Sequence, residues 1–351
     1  MTGDQPRGRL LQKEVQMSDW SRLPDLAARQ VGGSVLDAND EFFAERENLI
    51  KDEAPAYRPH TFTNKGQEYD GWETRRRRDG SPGPDWALIR LGIAGVPAGI
   101  VVDTAYFVGN YPPEVSVAGA CVPGHPTVEE LLSAPWHPIL ARSPIKGDTR
   151  NEFEVSGERR ITHVRLNMHP DGGIARLRVH GIAVPDPQWL DDIPFDLIAL
   201  RHGGRVLDCS DGFFSPPNNM LQPGISRFMA DGWESRRRRD DGNDWATVAL
   251  AAEATPSVLD LDTTHYKGNA PARISLDGYT TENQPVPLLP PTLVQPDAPH
   301  RFRLHSGPAV NRVRLNVFPD GGIARLRLFG PLTDAGRRQM HDRFTATTPG
   351  H

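Results

Sequence analysis

The segment Asp70-Gly71-Trp72-Glu73-Thr74-Arg75-Arg76-Arg77-Arg78 sets a carboxylate and an indole beside four consecutive guanidinium groups. It recurs as Asp231-Gly232-Trp233-Glu234-Ser235-Arg236-Arg237-Arg238-Arg239. Guanidinium is a planar fork that matches a carboxylate bidentately. If the run is extended, Arg75 and Arg77 point one way, Arg76 and Arg78 the other. A pair leaning inward needs acidic partners, because stranding one buried charge costs about 3–5 kcal/mol. Glu73, Asp85 and Asp103 are close by in sequence, as are Glu234, Asp244 and Asp262 in the second occurrence. Two readings follow: a structural arginine–carboxylate lattice, or a forked arginine site for a small organic anion.

A second matched piece is Asp103-Thr104, Phe107 and Gly109-Asn110-Tyr111-Pro112, which returns as Asp262-Thr263, Tyr266, Gly268-Asn269 and Pro271. A strand followed by a Gly-Asn-x-Pro loop places Asn110 at a rim, closing a turn or touching a ligand. Leu36-Asp37, Asp40 and Phe42-Phe43 match Leu207-Asp208, Asp211 and Phe213-Phe214. These aspartates either cap a turn before buried aromatics, or act as a metal or acid–base pair. His163, His169 and His180 are replaced by Arg312, Phe318 and Phe329, and no histidine spacing suggests a metal site. Neither a P-loop nor Gly-x-Ser-x-Gly occurs.

The elements that must carry these groups are also duplicated. From His163 to Gly181, fourteen of nineteen positions match Arg312 to Gly330, so the 351 residues hold two long copies of one domain. Thirty-three Gly and thirty-three Pro cut the chain into short pieces. Strand-like patterns cover Trp86 to Leu91, Gly99 to Asp103, Glu114 to Val117, His163 to Met168 and Ile174 to His180. The second copy repeats them. No helix separates successive strands, so the expected class is all-β, a pair of sandwiches or jelly rolls. The division is an arm over 1–30, a first repeat over 31–183, a linker over 184–202, a second repeat over 203–330 and a tail over 331–351.

A net charge of −5, with acids around both arginine runs, argues against a nucleic-acid partner. No apolar run is long enough for a membrane span. Cys121 and Cys209 are the only cysteines, at non-equivalent positions, which points to a reduced, cytoplasmic protein. A homo-oligomer is compatible with all of this.

The chain resembles the allantoicase family. The resemblance rests on Leu23-Pro24-Asp25-Leu26-Ala27, Gly32 to Leu36, Asp40 to Glu45, Asn48-Leu49, Asp70 to Arg78, Asp85-Trp86, Arg90 to Gly92, Asp103-Thr104, Gly109 to Pro113 and Val164 to Gly181. It implies two tandem jelly-roll β-sandwich domains of galactose-binding-like type and hydrolysis of allantoate to ureidoglycolate and urea. That reaction needs an anchor for the substrate carboxylate, a proton for departing urea and an activated water. The expected catalytic groups are Glu73, Asp85 and Asp103, and the expected substrate contacts are Arg75, Arg76, Arg77, Trp72 and Asn110. A divalent metal, manganese or zinc held by carboxylates, is left open. The altered Ala249-Leu250-Ala251, opposite Arg90-Leu91-Gly92, favours the first copy as the site. A non-catalytic ligand-binding sandwich and a ureidoglycolate-processing enzyme are the alternatives.

Overall fold

The computed structural model describes residues 20–78, 80 and 82–348. Residues 185–344 form one compact unit; the described residues up to 184, with 345–348, form the other.

The first unit is built on strands β1 (Ser34–Ala38), β2 (Trp72–Glu73), β3 (Asp85–Asp103), β4 (Glu114–Ala120), β5 (His137–Pro144), β6 (Arg150–Glu154), β7 (Ile161–His169), β8 (Gly173–Ile174) and β9 (Arg176–Ala183). One sheet runs β1-β3-β7-β4-β5, all antiparallel. The far half of β3 pairs with β9 and β6 instead. The single 19-residue strand β3 therefore serves two layers of a sandwich. Its residues 85–93 largely alternate between buried and half-buried, while 95–102 are buried on both faces. The change comes where the register breaks between Arg90 and Gly95. Beyond it, Trp20 covers the outer face so closely that a β-carbon on Gly99 would lie 2.0 Å from the indole.

The second unit repeats this with β10 (Phe195–Asp196), β11 (Arg205–Cys209), β12 (Trp233–Glu234), β13 (Asp244–Ala254), β14 (Val258–Asp262), β15 (Arg273–Tyr279), β16 (Pro285–Leu293), β17 (Pro299–Arg303), β18 (Val310–Phe318), β19 (Gly322–Ile323) and β20 (Arg325–Gly330). Its sheets are β11-β13-β18-β15-β16 and β10-β20-β14-β17. Here residues 255–257 fall between β13 and β14, so the counterpart of β3 is two strands, although the proline among them, Pro256, has its equivalent, Pro97, within the unbroken β3. Among the described residues no helix is long and apolar enough to cross a membrane.

Both repeats begin earlier than the sequence division placed them. The proposed arm contributes Leu26 and Ala27, both fully buried, and the proposed linker contributes β10 and the buried Leu197 and Ile198. The cause is a shared acidic clasp. Asp25 accepts the amides of Ala27 and Val179, at 3.1 and 2.9 Å. Asp196 accepts those of Ile198 and Leu328, at 3.2 and 3.0 Å. Each clasp ties the first residues of a repeat to its last long strand. The tail is helical over Asp334–Thr347.

Candidate active site

In each repeat the two-residue strand carrying the Trp-Glu pair is held on both sides. In the first, Trp72 and Glu73 pair with Ile174 and Gly173 across β2–β8, and Ala44 bridges Glu73 from the other edge. Strand alternation then sends the two side chains to opposite faces. Trp72 is fully buried and its Nε1 donates to the carbonyl of Asp40 at 2.8 Å. Glu73 faces a cleft of about 820 Å³, lined by Phe42, Phe43, Arg75, Arg76, Arg78, Asn110, Tyr111 and Asp171 among others.

Glycines let the Asn110 loop reach this strand. A β-carbon on Gly173 would lie 2.1 Å from the Phe107 ring, and one on Gly172 would lie 2.6 Å from the Pro112 nitrogen. Gly172 also has φ +147°, which disfavours any side chain. With both absent, the Gly173 amide donates to the carbonyl of Asn110 at 2.7 Å, and Asn110 Nδ2 donates to Glu73 Oε1 at 2.8 Å. Glu73 is half-buried. Burial pushes its carboxyl above the usual range, more strongly than the Asn110 bond and the Arg76 charge pull it down.

The four arginines sort by their partners. Arg75 is spent on Asp40: its amide donates to Oδ2 at 2.6 Å and its Nε to Oδ1 at 2.9 Å. Arg77 Nε donates to Asp85 Oδ1 at 2.9 Å, its Nη1 donates to Gly83 O, and its amide donates to Asp171 Oδ2 at 2.8 Å. Arg76 and Arg78 are exposed, and among the described residues neither makes a hydrogen bond or an ion pair. Both line the cleft. One alternate pair is neutralised internally; the other is left facing the space in front of Glu73.

The structure thus brings Glu73, Arg75, Arg76 and Asn110 to one cleft and places the other expected residues elsewhere. Asp85 is buried, with Oδ1 accepting from Arg77 and from Asn39 Nδ2 at 2.7 Å; it positions the arginine run from below. Asp103 ends β3 and caps the following turn, accepting the Ala105 amide at 2.8 Å. Arg77 is turned away to Asp85, and Trp72 has no surface to offer a ligand. Arg78, Tyr111 and Asp171 were not singled out as contacts, although the alternation with Arg76 already implied Arg78. Phe42 and Phe43, read as buried, are 42% and 37% exposed and meet edge to face at the rim.

The cleft's donor set does not fit manganese or zinc. Its carboxylates, Glu73 and Asp171, face three guanidinium groups, and among the described residues no three His, Cys, Asp or Glu side chains converge. What the arrangement can do is hold a small carboxylate next to a readily protonated acid.

Comparisons with known proteins point to one family. A family model described as the allantoicase repeat matches twice, over residues 24–184 and 195–333. A probable allantoicase of Nocardia farcinica is 53% identical over 315 residues, 89% of this chain and 95% of that protein. The allantoicase of Dictyostelium discoideum is 40% identical over 332 residues, 90% of this chain and 89% of that protein. The crystal structure of allantoicase from Saccharomyces cerevisiae superposes with a TM-score of 0.79 at 33% identity, covering 91% of this chain and 97% of that one.

Proposed function

The chain belongs to the allantoicase family, and from that premise we propose that the cleft of its first repeat is where it hydrolyses allantoate to ureidoglycolate and urea. The observation that carries this reading is the facing of Glu73, bonded to Asn110, by the two unspent guanidinium groups of Arg76 and Arg78. The substrate's central carbon bears a carboxylate and two ureido nitrogens. Arg76 and Arg78 take the carboxylate, which fixes that carbon beside Glu73. Protonated Glu73 gives its proton to the nitrogen of the departing ureido group, which leaves as urea with the C–N electron pair. Water adds its oxygen to the carbon, and the Glu73 carboxylate removes the proton this water sheds. One water is consumed, one urea is released and Glu73 is again protonated.

Asn110 positions Glu73 and limits how far its carboxyl rises. Arg75 holds the Asp40 loop, and Phe42 and Phe43 wall the cleft. A non-catalytic binding sandwich would not need a carboxyl raised by burial opposite free arginines. That neither Cys121 nor Cys209 is in a disulfide supports a cytoplasmic setting for this reaction. The test is urea release from allantoate by Glu73→Gln, whose turnover should fall to about two thirds or less of the unmodified chain's. Full turnover would contradict the assignment.

A further inference from the structure

We infer that the second repeat carries its own site for the same ureido-carboxylate substrate, centred on Glu234, Asn269, Arg237 and Arg239; this rests on the reading of the first-repeat cleft. Strand β12 pairs Trp233 and Glu234 with Ile323 and Gly322, and Ser215 bridges Glu234 from the other edge. Trp233 is fully buried and donates to the carbonyl of Asp211 at 2.8 Å. Glu234 therefore faces outward, and Asn269 Nδ2 donates to its Oε1 at 2.6 Å.

The arginines divide in the same way. Arg236 pairs with Asp211 at 3.3 Å. Arg238 pairs with Asp240 and Asp244 at 3.1 and 3.4 Å, and its amide donates to Asp320 Oδ2 at 2.7 Å. Arg237 and Arg239 are exposed, and among the described residues neither makes a hydrogen bond or an ion pair.

Retention of a shared fold accounts for some of this duplication and not for the rest. Trp233, Asp211, Arg238 and Asp244 all have internal tasks. Arg237 and Arg239 have none, and the Asn269–Glu234 bond joins two outward-facing groups that contribute little burial. The surroundings have meanwhile diverged. Between the Asn48 and Asn219 positions and the Trp-Glu strands, the first repeat inserts a small hairpin of Phe62–Thr63 with Gly66–Gln67 that the second lacks. Tyr111 at the first cleft is replaced by Ala270, and Pro113 by Ala272. The two replacements remove bulk from the wall, and every charged residue lining the first cleft has its counterpart in the second repeat, so the ligand class is unchanged: a small carboxylate with a leaving nitrogen near the acid.

The test compares the full-length chain with Glu73→Gln, Glu234→Gln and the double variant, by urea release, and titrates allantoate into the double variant calorimetrically. Each single variant should keep between about a third and two thirds of the turnover, while the double loses on the order of 100-fold or more, as removal of an acid–base group does. The double variant should bind two allantoate molecules per chain, reduced to one by adding Arg237→Ala, an exposed substitution that leaves the fold alone. Full turnover in Glu234→Gln with an inactive Glu73→Gln, or one bound allantoate in the double variant, would overturn the second site and leave the first intact. Full turnover in the double variant would instead sink the reading of the first cleft itself.

Discussion

Replacing Asp70 by Asn strips the buried Arg176 guanidinium of its counter-charge while keeping its shape, and should destabilise the first unit by about 3 kcal/mol. The two side chains are 2% and 10% exposed and meet at 2.8 Å. Arg176 spends its other hydrogens on neutral carbonyls: Glu53 at 3.0 Å, Asp70 at 2.9 Å and Ala175 at 2.8 Å. Only the Asp70 carboxylate brings opposite charge, so its loss leaves a buried cation hydrogen-bonded but uncompensated. The lower end of the usual 3–5 kcal/mol range applies, because Asn still offers an oxygen.

The carboxyl itself supplies a second readout. Burial pushes Asp70 up, but the Arg176 bond, the Ala56 amide and the Arg176 and Lys51 charges outweigh it and hold the carboxyl below its ordinary value. A depressed carboxyl contributes stability fully above its unfolded value and loses it as pH falls through the folded one. Urea unfolding followed by tryptophan fluorescence across pH should therefore show a gap between Asp70→Asn and the unmodified chain that closes in acid. The second repeat is an internal replicate. Asp231 and Arg325 meet at 3.0 Å with exposures of 4% and 5%, so Asp231→Asn should cost at least as much. A loss under about 1 kcal/mol at neutral pH, the size expected of an exposed pair, would refute the reasoning. So would a gap that persists in acid.

Because Glu73 must be protonated to release urea and its carboxyl is raised, kcat/KM should fall as pH rises through its value. Asn110→Ala, in a chain silenced at Glu234, should move that falling limb to higher pH, since the bond favouring the ionised form is gone; a limb moving lower contradicts the assignment. Arg76→Ala with Arg237→Ala should raise KM for allantoate roughly 10- to 100-fold, the worth of a charged hydrogen bond. Arg77→Ala should instead leave KM near its original value and lower unfolding stability, because it strands the buried Asp85. Gly173→Ala should destabilise the first unit by about 1–3 kcal/mol through its clash with Phe107, and Phe107→Val in the same chain should restore part of that.

The all-β class and the duplication were legible because period-two patterning and evenly spread Gly and Pro leave no room for long helices between strands. The split of the arginine run into alternate pairs was legible too, but strand geometry does not set it: the strand ends at Glu73, and the irregular backbone beyond it lets Arg76 and Arg78 line the same cleft as Glu73. What misled was nearness in sequence. Asp85 and Asp103 sit close to Glu73 along the chain, yet they are the two ends of a 19-residue strand. One end points beneath the arginines and the other into a turn. The strand Pro285–Leu293 was hidden by its prolines, which an edge strand tolerates because one row of amides has no partner. The starts of the repeats were hidden because the clasps of Asp25 and Asp196 close only across about 130 to 150 residues. Phe42 and Phe43 looked like core from composition alone; the loop that carries them leaves both at the rim.

The most direct measurement is a crystal structure of the Glu73→Gln, Glu234→Gln chain soaked with allantoate. The substrate carboxylate should lie within hydrogen-bonding distance of Arg76 and Arg78, with a ureido nitrogen turned toward residue 73. Allantoate bound elsewhere, with those two guanidinium groups still in solvent, would contradict it.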